Sequence, residues 1–330
     1  RSNTMKFLIT GGAGYIGSIT NAFIQSQGHE TIVFDSLING HKESVGKTPL
    51  IIGDLCNKDE IDAVFQDERF DAVIHFAAFA LAGESMERPY DYLRNNINGT
   101  LNLLETMHKY DCKTLIFSST CAVYGFPKTL PVTESTPIHP MSIYAQSKRS
   151  CEEIIDWYEQ LHGIKNAKLR YFNACGDIPD GSLGEDHAPE THIIPVALQA
   201  AIVGKPFFVF GKDYQTPDGT CIRDYIHVLD LADAHLKAVS SLLKNKESLT
   251  INLGVGKGYS NLDVLKAVEK VTGKTLDVQY KERRAGDPDA IYADNAKAKS
   301  ILGWEPKYKT IESIIETAWA WHAKHPNGYK

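Results

Sequence analysis

The chain has little that would build a disulfide framework, a zinc finger or a membrane span. Its six cysteines, Cys56, Cys112, Cys121, Cys151, Cys175 and Cys221, stand apart, and no two of them form a CxxC pair. We therefore expect free thiols in a reducing compartment and predict a cytoplasmic protein. No apolar run approaches the length of a membrane helix, and no signal-peptide pattern is visible. Arg1–Thr4, which precede Met5, are interpreted as the remnant of an expression tag.

An excess of positive charge is also absent. The formal net charge of -6 argues against nucleic-acid binding, so an anionic ligand would need a few placed arginines or the N-termini of helices. The histidine- and acid-rich stretch GEDHAPETH, residues 184–192, invites a metal interpretation. Its glycine and proline are typical of a loop and argue against a rigid ligand set, so we predict no metal.

What the sequence does contain is a repeated alternation of apolar strands and helical patterns. Strands are predicted at Lys6–Thr10, Thr31–Phe34, Leu50–Ile52, Ala72–Phe76, Thr114–Ser118 and Ala167–Tyr171, with helices at Tyr15–Gln27, Asn57–Gln66, Pro89–Tyr110 and Ser142–His162. Continuous apolar strands separated by helices predict an α/β fold, a Rossmann-type doubly wound parallel sheet covered on both faces.

The character of the chain changes after Asn173. Residues 174–192 have the composition of an irregular loop, and further elements are predicted at Ile193–Val203, Phe207–Phe210, Asp230–Leu243, Asn261–Val271 and Ile311–His325. We predict a dinucleotide-binding domain over residues 1–173 and a smaller C-terminal α/β substrate domain over 174–330. Residues 224–246 are expected to pack back onto the first domain.

A glycine-rich loop follows the first predicted strand and opens the first helix. Gly11, Gly14 and Gly17 form GxxGxxG, which permits a tight turn, while the helix N-terminus offers free N–H groups to a pyrophosphate. Asp35 ends the second strand, 18 residues after Gly17, where a carboxylate can accept hydrogen bonds from ribose hydroxyls and repel a 2′-phosphate. This pattern favours NAD over NADP. Asp54, after the third strand, is placed near the adenine edge, although Gly-Asp is also a common turn.

Tyr144 and Lys148 form YxxxK, and residues four apart share one face of a helix. A free tyrosine has a pKa of about 10, and a nearby ammonium lowers it by favouring phenolate. Tyr144 could then exchange a proton with a sugar hydroxyl while hydride passes to the cofactor. Ser118-Ser119-Thr120 lies at the carboxyl end of the fifth strand, where open parallel sheets bind ligands, and we predict that Thr120 relays or orients that proton. The alternative is a Ser/Thr cluster that only caps a helix.

Together these motifs resemble the extended short-chain dehydrogenase/reductase family and, within it, the 4-epimerases of UDP-sugars. The resemblance includes Val123-Tyr124-Gly125, Gly83-Glu84-Ser85, the stretch from Asn95 to Thr100, Arg170-Tyr171-Phe172-Asn173, the stretch from Gly219 to Val228, and Arg283 to Asp287. It runs from about Met5 to the end of the chain. It implies NAD-dependent interconversion of UDP-glucose and UDP-galactose through a 4-keto sugar that turns over in the site, and it implies a homodimer formed through the 89–110 and 142–162 helices.

The resemblance also assigns roles to particular residues. The cofactor residues it implies are Tyr15, Ile16, Ser36, Asn39, Leu55, Phe76, Ala77, Ala78, Ala80, Asn95, Ser118 and Phe172, together with Gly11, Gly14, Gly17, Asp35, Asp54, Tyr144 and Lys148. The substrate residues are Asn173, His192, Ile193, Phe208, Phe210, Arg223, Tyr225, Arg284 and Asp287, with Thr120 and Tyr144 at the reacting carbon. Arg223 and Arg284 would neutralise the pyrophosphate, and Asp287 would hold the uridine ribose.

Three positions depart from the family pattern. Thr120 stands where many members have serine, Ala80 where some have a lysine beside the cofactor, and Ile291 at a position that affects tolerance of a bulky 2-substituent. N-acetylated sugars and the C4 epimerisation of UDP-xylose, UDP-arabinose or UDP-glucuronate therefore stay open. A 4,6-dehydratase would need an Asp-Glu pair where Cys121-Ala122 follows Thr120. A catalytically silent NAD-binding protein would have lost Tyr144 or Lys148.

Overall fold

The computed structural model describes residues 3–330, so Arg1 and Ser2 of the interpreted tag remnant lie outside the described residues. Its first half alternates strands and helices: β1 (Lys6–Thr10), α1 (Tyr15–Ser26), β2 (Glu30–Asp35), β3 (Leu50–Ile52), α2 (Lys58–Asp67), β4 (Ala72–His75), α3 (Ala82–Glu87), α4 (Pro89–Leu93), α5 (Gly99–Lys109), β5 (Thr114–Thr120), α6 (Ile143–His162) and β6 (Lys165–Tyr171).

The second half contains shorter strands and five further helices. In chain order these are β7 (Asn173–Cys175), α7 (Ile193–Val203), β8 (Phe207–Phe210), β9 (Ile222–His227), α8 (Val228–Asn245), β10 (Leu249–Leu253), β11 (Gly258–Ser260), α9 (Asn261–Thr272), β12 (Val278–Lys281), α10 (Ala296–Leu302) and α11 (Ile311–Lys324).

Seven parallel strands form the central sheet in the order β10-β6-β5-β4-β1-β2-β3. The side chains of the central strands β1, β4 and β5 are buried almost without interruption, because helices cover both faces of the sheet. The Rossmann-type α/β prediction is therefore confirmed. The strand order reverses between β1 and β4, and the crevice at the carboxyl ends of those strands is where such sheets bind ligands.

The seventh strand of this sheet comes from the second half of the chain. Leu249–Leu253 pairs in parallel with Ala167–Tyr171, and α8 packs against α1 on one face of the sheet. Residues 224–246 were expected to pack onto the first domain. In addition, β10 belongs to the large sheet, although it follows the boundary that we expect at residue 174. Its five residues, LTINL, are too short to show a period that distinguishes a strand of one domain from a strand of the other.

Helices on the opposite face differ from the prediction in two respects. The helix expected at Pro89–Tyr110 is continuous, but a π-helical turn at Arg94–Asn98 divides α4 from α5. The short helix α3 at Ala82–Glu87 was not predicted. The π turn changes the direction of the side chains that follow Leu93. Asn96, which is buried within this turn, hydrogen-bonds to the loop after β4.

The smaller part of the molecule has its own core. A three-stranded sheet in the order β11-β9-β7 and a two-stranded sheet of β12 and β8 pack with α7, α9 and α11. Within residues 3–330, no helix is both long enough and apolar enough to cross a bilayer.

Candidate active site

The glycine loop between β1 and α1 is closely packed against its neighbours. Gly11 has a φ of +70°, and a Cβ there would lie 2.6 Å from the backbone nitrogen of Ala77. A Cβ on Gly17 would lie 2.2 Å from the carbonyl oxygen of Gly11. Helix α1 begins at Tyr15, and no side chain caps it at Gly14. Its first N–H groups therefore face the loop without a side-chain acceptor, which fits a phosphate group.

Asp35 is buried at the end of β2, beside this loop. Its Oδ2 accepts a hydrogen bond from the N–H of Ala13 at 2.9 Å, and its Oδ1 accepts one from the N–H of Leu37 at 2.8 Å. Each oxygen keeps a lone pair, so the carboxylate can also accept from ribose hydroxyls. Ser36 and Asn39 follow it as exposed residues, and their predicted cofactor role stays a prediction.

The opposite wall of the crevice is the loop after β4, which holds the predicted Phe76–Ala80 segment. Asn96, in the π turn, clamps this loop: its Oδ1 accepts from the N–H of Phe79 at 2.8 Å, and its Nδ2 donates to the Phe79 carbonyl at 3.0 Å and to Ser147 Oγ at 2.9 Å. Sequence reasoning assigned a cofactor contact to Asn95, whose Nδ2 donates to Asn96 Oδ1 at 3.1 Å, and that contact stays a prediction. The paired asparagines were the available signal, but only the π turn shows which of them points inward.

Two predicted residues lie at the end of β3, beyond Asp35. Asp54 accepts a hydrogen bond from the N–H of Cys56 at 2.8 Å, which makes its carboxylate part of a turn. Leu55 is buried against Gly99 and the core beneath the sheet. The structure therefore supplies the turn that was the alternative interpretation of Gly-Asp, while a contact with adenine stays a prediction.

Tyr144 and Thr120 meet at the carboxyl end of β5, as predicted. Tyr144 lies in the first turn of α6, where Ser142 Oγ accepts from the N–H of Ala145 and Ser85 Oγ accepts from the N–H of Tyr144 at 3.0 Å. Thr120 ends β5, and its hydroxyl hydrogen-bonds to the Tyr144 phenol. It also accepts from the N–H of Ala122 at 3.1 Å, so it caps the following turn as well.

The electrostatic prediction for this pair was wrong for the chain on its own. Burial raises the pKa of the Tyr144 phenol above its ordinary value, and the hydrogen bond from Thr120 opposes this only in part. The ammonium of Lys148 is buried one turn along α6, where Nζ donates to the Ser118 carbonyl at 2.8 Å and lies 5.0 Å from the centre of the Phe117 ring. Burial lowers the pKa of Lys148 to about 8.

A buried ion pair connects α6 to strands β5 and β6. Glu152, two turns beyond Tyr144 on α6, accepts from Ser119 Oγ at 2.8 Å and from Arg170 through Nε at 2.9 Å and Nη2 at 2.8 Å. Burial alone would raise the pKa of Glu152, but these hydrogen bonds and the guanidinium charge hold it below its ordinary value. Sequence reasoning missed this pair, because nothing in a single sequence indicates that two residues of opposite charge face each other inside a core.

The predicted substrate residues nearest to Thr120 come from β7 and β9. Asn173 Nδ2 donates to the Asp224 carbonyl at 3.1 Å, which joins the two strands. The charge of Arg223 reaches Cys121, the residue after Thr120, where it opposes the burial that raises the pKa of that thiol to about 12. Tyr225 is buried in the core of the smaller sheet, so its side chain packs there.

A second group of predicted residues surrounds the aromatic side chains of β8. The guanidinium carbon of Arg284 lies 3.8 Å from the centre of the Phe210 ring, and Lys281 Nζ lies 3.9 Å from that of Phe208. Asp287 lies close enough to Tyr214 for its charge to act on that phenol. These side chains form a cationic and aromatic surface of the kind that binds a base and its phosphates.

Phe172 and Ile291 belong to one apolar cluster. Both are buried in a small cluster with Val123, and the N–H of Phe172 donates to the Leu253 carbonyl at 3.1 Å. Ile291 therefore packs in the same cluster as Phe172, and its contact with a sugar stays a prediction. Ile193, by contrast, packs at the start of α7 against the core of the smaller domain.

The irregular segment 184–192 is a loop, as predicted, but its polar side chains converge. Ligand atoms of Glu185, His187, Glu190 and His192 all lie within 4.8 Å of one another. Glycine and proline do not keep these side chains apart, because the loop folds back on itself before His192, which precedes the first residue of α7. The imidazole of His192 is thereby turned toward Glu185.

Comparison with known proteins agrees with the family resemblance of the sequence motifs. Residues 7–254 match the NAD dependent epimerase/dehydratase family. A UDP-glucose 4-epimerase of Lactobacillus helveticus is 45% identical over 328 residues, covering 99% of each chain. One solved structure of a UDP-glucose 4-epimerase is 44% identical with a TM-score of 0.96, covering 98% of this chain and 99% of its own.

A third relative was solved with ligands. The UDP-glucose 4-epimerase of Bifidobacterium longum, in complex with NAD+ and UDP, is 38% identical with a TM-score of 0.93 and covers 98% of this chain and 100% of its own. The family match covers most of the dinucleotide domain, and the relatives extend over the smaller domain too. The chain therefore belongs to the NAD dependent epimerase/dehydratase family.

Proposed function

We propose that this chain interconverts UDP-glucose and UDP-galactose by inverting the configuration at C4 of the sugar. The observation that carries the proposal is the hydrogen-bonded pair of Tyr144 and Thr120 at the carboxyl end of β5, with Lys148 on the same face of α6. Bound NAD supplies a reversible hydride acceptor. Gly11, Gly17 and Asp35 would hold it, since the loop fits a backbone–phosphate contact and the carboxylate fits ribose hydroxyls.

Within this proposal Tyr144 accepts the proton of the 4-hydroxyl as C4 loses hydride, and it later returns that proton to the 4-oxygen when hydride adds to the opposite face of C4. Its pKa is raised by burial, so the phenolate must be stabilised when substrate is present. The Thr120 hydroxyl favours the phenolate, and Lys148, which lies one turn further along the same face of α6, would add a positive charge.

Turning the 4-keto sugar over requires a firm hold on the nucleotide and a loose hold on the sugar. Arg284 and Phe210 form a cation–aromatic pair, and the charge of Arg223 acts on Cys121, the residue after Thr120. Binding energy from the remote UDP would keep the intermediate in place while the sugar rotates. The sugar pocket itself is bordered by apolar side chains such as Phe172 and Ile291.

Elimination chemistry is disfavoured by the residue that follows Thr120. A dehydratase needs a carboxylic acid there, and this chain has Cys121, whose thiol burial keeps protonated with a pKa of about 12. The neutral thiol has neither the acidity nor the basicity for proton transfer at neutral pH. Cys121 thus favours epimerisation at C4 over elimination of water from the 4-keto sugar.

The test is direct conversion. Purified protein is incubated with UDP-galactose, and UDP-glucose formation is followed by anion-exchange chromatography without added reductant. We expect equilibration between the two sugars, and separate reactions with UDP-N-acetylglucosamine, UDP-xylose and UDP-glucuronate define the sugar range. Absence of interconversion of any UDP-sugar by protein that contains bound NAD would overturn the proposal.

We further propose that the protein is a cytoplasmic homodimer joined through α5 and α6. Trp157 and Leu161 of α6 are 60% and 68% exposed, and Leu101 of α5 is 39% exposed. Apolar side chains of this size on two adjacent helices are typical of a protein interface. The cytoplasmic assignment is supported by the cysteines, all six of which are free.

A further inference from the structure

The loop between β7 and α7 contains a cluster of two carboxylates and two imidazoles outside the catalytic pair. We call Glu185, His187, Glu190 and His192 the loop cluster. The side chains of Glu185 and Glu190 are 2% and 6% exposed, whereas those of His187 and His192 remain open to solvent on one side. The cluster thus has a buried acidic floor and an accessible edge.

Three distances within the loop cluster are close to the edge of a tetrahedron around a metal ion, with one carboxylate oxygen of Glu190 facing each imidazole. His187 Nδ1 lies 3.3 Å from Glu185 Oε1 and 3.2 Å from Glu190 Oε2, and His192 Nδ1 lies 3.6 Å from Glu190 Oε1. Metal–ligand bonds of 2.0–2.2 Å in tetrahedral geometry require ligand atoms about 3.4 Å apart. A fourth edge, between His192 and Glu185, is a direct ion pair that an ion would separate.

Backbone groups around the cluster hold its carboxylates in place. Glu190 Oε1 accepts from the N–H groups of Thr191 and His192 at 2.9 and 3.0 Å, which leaves Oε2 directed toward His187. The N–H of Glu185 donates to Asp177 Oδ1 at 2.8 Å, and its carbonyl accepts from the indole of Trp321. The ligand atoms are therefore oriented by a supporting shell, as those of metal sites are.

The loop cluster also contacts the dinucleotide-binding loop. The ring of His187 meets the ring of Tyr15 edge to face, with centroids 6.1 Å apart, and Tyr15 donates to the Gly176 carbonyl. Tyr15 is the first residue of α1. An ion bound by the loop cluster would fix His187 against this residue and so connect the smaller domain to the N-terminus of α1.

We propose that the loop cluster binds one Zn²⁺ ion through Glu185, His187, Glu190 and His192. Two imidazoles with two carboxylates suit a late first-row divalent ion, whereas Mg²⁺ and Ca²⁺ prefer oxygen ligands in six or more positions. The ion has a structural role, since it lies in the loop before α7 and outside the Tyr144–Thr120 pair. The proposed zinc site goes beyond the proposed epimerase activity and does not depend on it.

The experiment compares three tag-free proteins, because a histidine tag would itself bind zinc. These are the wild type, the double variant His187→Gln/Glu190→Gln, and the matched control His139→Gln, which changes an exposed histidine outside the cluster. Each protein is stripped with a chelator and dialysed against Zn²⁺, and its metal content is measured. His192 is left intact, because it is also a predicted substrate residue.

We expect about one Zn²⁺ per chain in the wild type and the control, and less than roughly a tenth of that in the double variant. Added Zn²⁺ should raise the midpoint of thermal unfolding of the first two proteins only, because an ion that binds only the folded state stabilises it. Cobalt in place of zinc should give the strong visible absorption of a tetrahedral site. This spectrum of the wild type decides the question if the double variant fails to fold.

Three results would overturn the assignment. They are a wild type that takes up no stoichiometric metal, a double variant that retains as much as the control, and a midpoint that Mg²⁺ raises as much as Zn²⁺ does. In each of these cases the four side chains form an ion-pair cluster only. Since metal content and unfolding are measured without substrate, failure here is distinguishable from failure of the proposed epimerase activity.

Discussion

At the scale of single residues, Tyr144 combines two features that oppose each other. Burial raises the pKa of its phenol, while its hydrogen bond to Thr120 favours the phenolate. A buried phenol of high pKa is a poor base by itself, so its use depends on charges that arrive with the ligands. Sequence spacing identified the residue, since YxxxK places Tyr144 and Lys148 on one helix face. It could not give the sign of the pKa shift, because desolvation depends on the neighbours in space.

Replacing Tyr144 with Phe removes the phenolic oxygen and little else. We expect Tyr144→Phe to retain NAD and UDP-sugar binding but to lose about 10²–10⁴-fold in turnover, the usual worth of a positioned acid–base group. Turnover is measured with UDP-galactose, and binding by calorimetry with UDP-glucose. Tyr171→Phe is the matched control, because Tyr171 is a nearby phenol bonded to Ser118 Oγ. Equal losses in the two variants would contradict the assignment of Tyr144 as the base.

At the scale of elements, the spacing of apolar residues and the positions of glycine and proline predicted most helices and strands of the first domain. The glycine loop, β1 and α1 were predicted together because each one implies the next. The π turn at Arg94–Asn98 was not, since a one-residue change in helical phase leaves the apolar pattern nearly intact. Asn96 therefore stayed unassigned, although it holds the loop that faces the glycine loop. The sequence also did not indicate that the side chains of the loop cluster lie close together, because residues in a loop follow no periodic pattern.

The glycine loop gives a sharp prediction at this scale. A methyl group on Gly17 would lie 2.2 Å from the Gly11 carbonyl oxygen and 2.8 Å from Gly12 Cα, and backbone atoms cannot rotate away. We expect Gly17→Ala to displace α1, to lower the free energy of unfolding by about 1–3 kcal/mol and to reduce the NAD content of the purified protein. Both are measured, by chemical denaturation and by cofactor release on heating.

The matched control for Gly17→Ala is Gly83→Ala in α3, where a Cβ would meet nothing within 4 Å. A glycine to alanine change in an open helical position is neutral or stabilising by up to about 1 kcal/mol. If both variants unfolded alike and retained equal NAD, close packing at Gly17 would not be what the loop requires.

At the scale of the whole molecule, the exposed face of α5 and α6 predicts association. Trp157 and Leu161 are four residues apart and therefore share a side of α6. We expect Trp157→Glu to convert a dimer into a monomer in light scattering after gel filtration, because a carboxylate buried in an apolar interface is strongly disfavoured. Ile301→Glu, on α10 and 40% exposed, is the control and should leave the mass unchanged. A wild type that is monomeric at micromolar concentration would exclude this interface.

Three buried histidines predict how the whole fold responds to acid. His75 lies between the hydroxyls of Thr10 and Thr100, His227 Nδ1 accepts from the N–H of Leu229, and His235 Nδ1 lies 2.7 Å from the Leu231 carbonyl oxygen. Burial lowers the pKa of His75 and His227 to about 3 and that of His235 to about 4. Each ring is therefore neutral in the folded chain at pH values where the unfolded chain takes up a proton.

The sign of the change in unfolding free energy with pH follows from the linkage between proton binding and folding. Because the folded pKa of each ring is below the unfolded value of about 6.5, the stability it contributes is complete above pH 6.5 and is lost as the pH falls toward 4. At pH 5 the loss is about 2 kcal/mol for each histidine. His235→Leu removes one such proton without adding a polar group, so its unfolding free energy should fall by about 2 kcal/mol less than that of the wild type between pH 7.5 and pH 5. Urea denaturation at the two pH values measures this difference, and the exposed His139→Leu should follow the wild type. Parallel pH dependence of His235→Leu and the wild type would mean that the buried imidazole of α8 takes up its proton in the folded state.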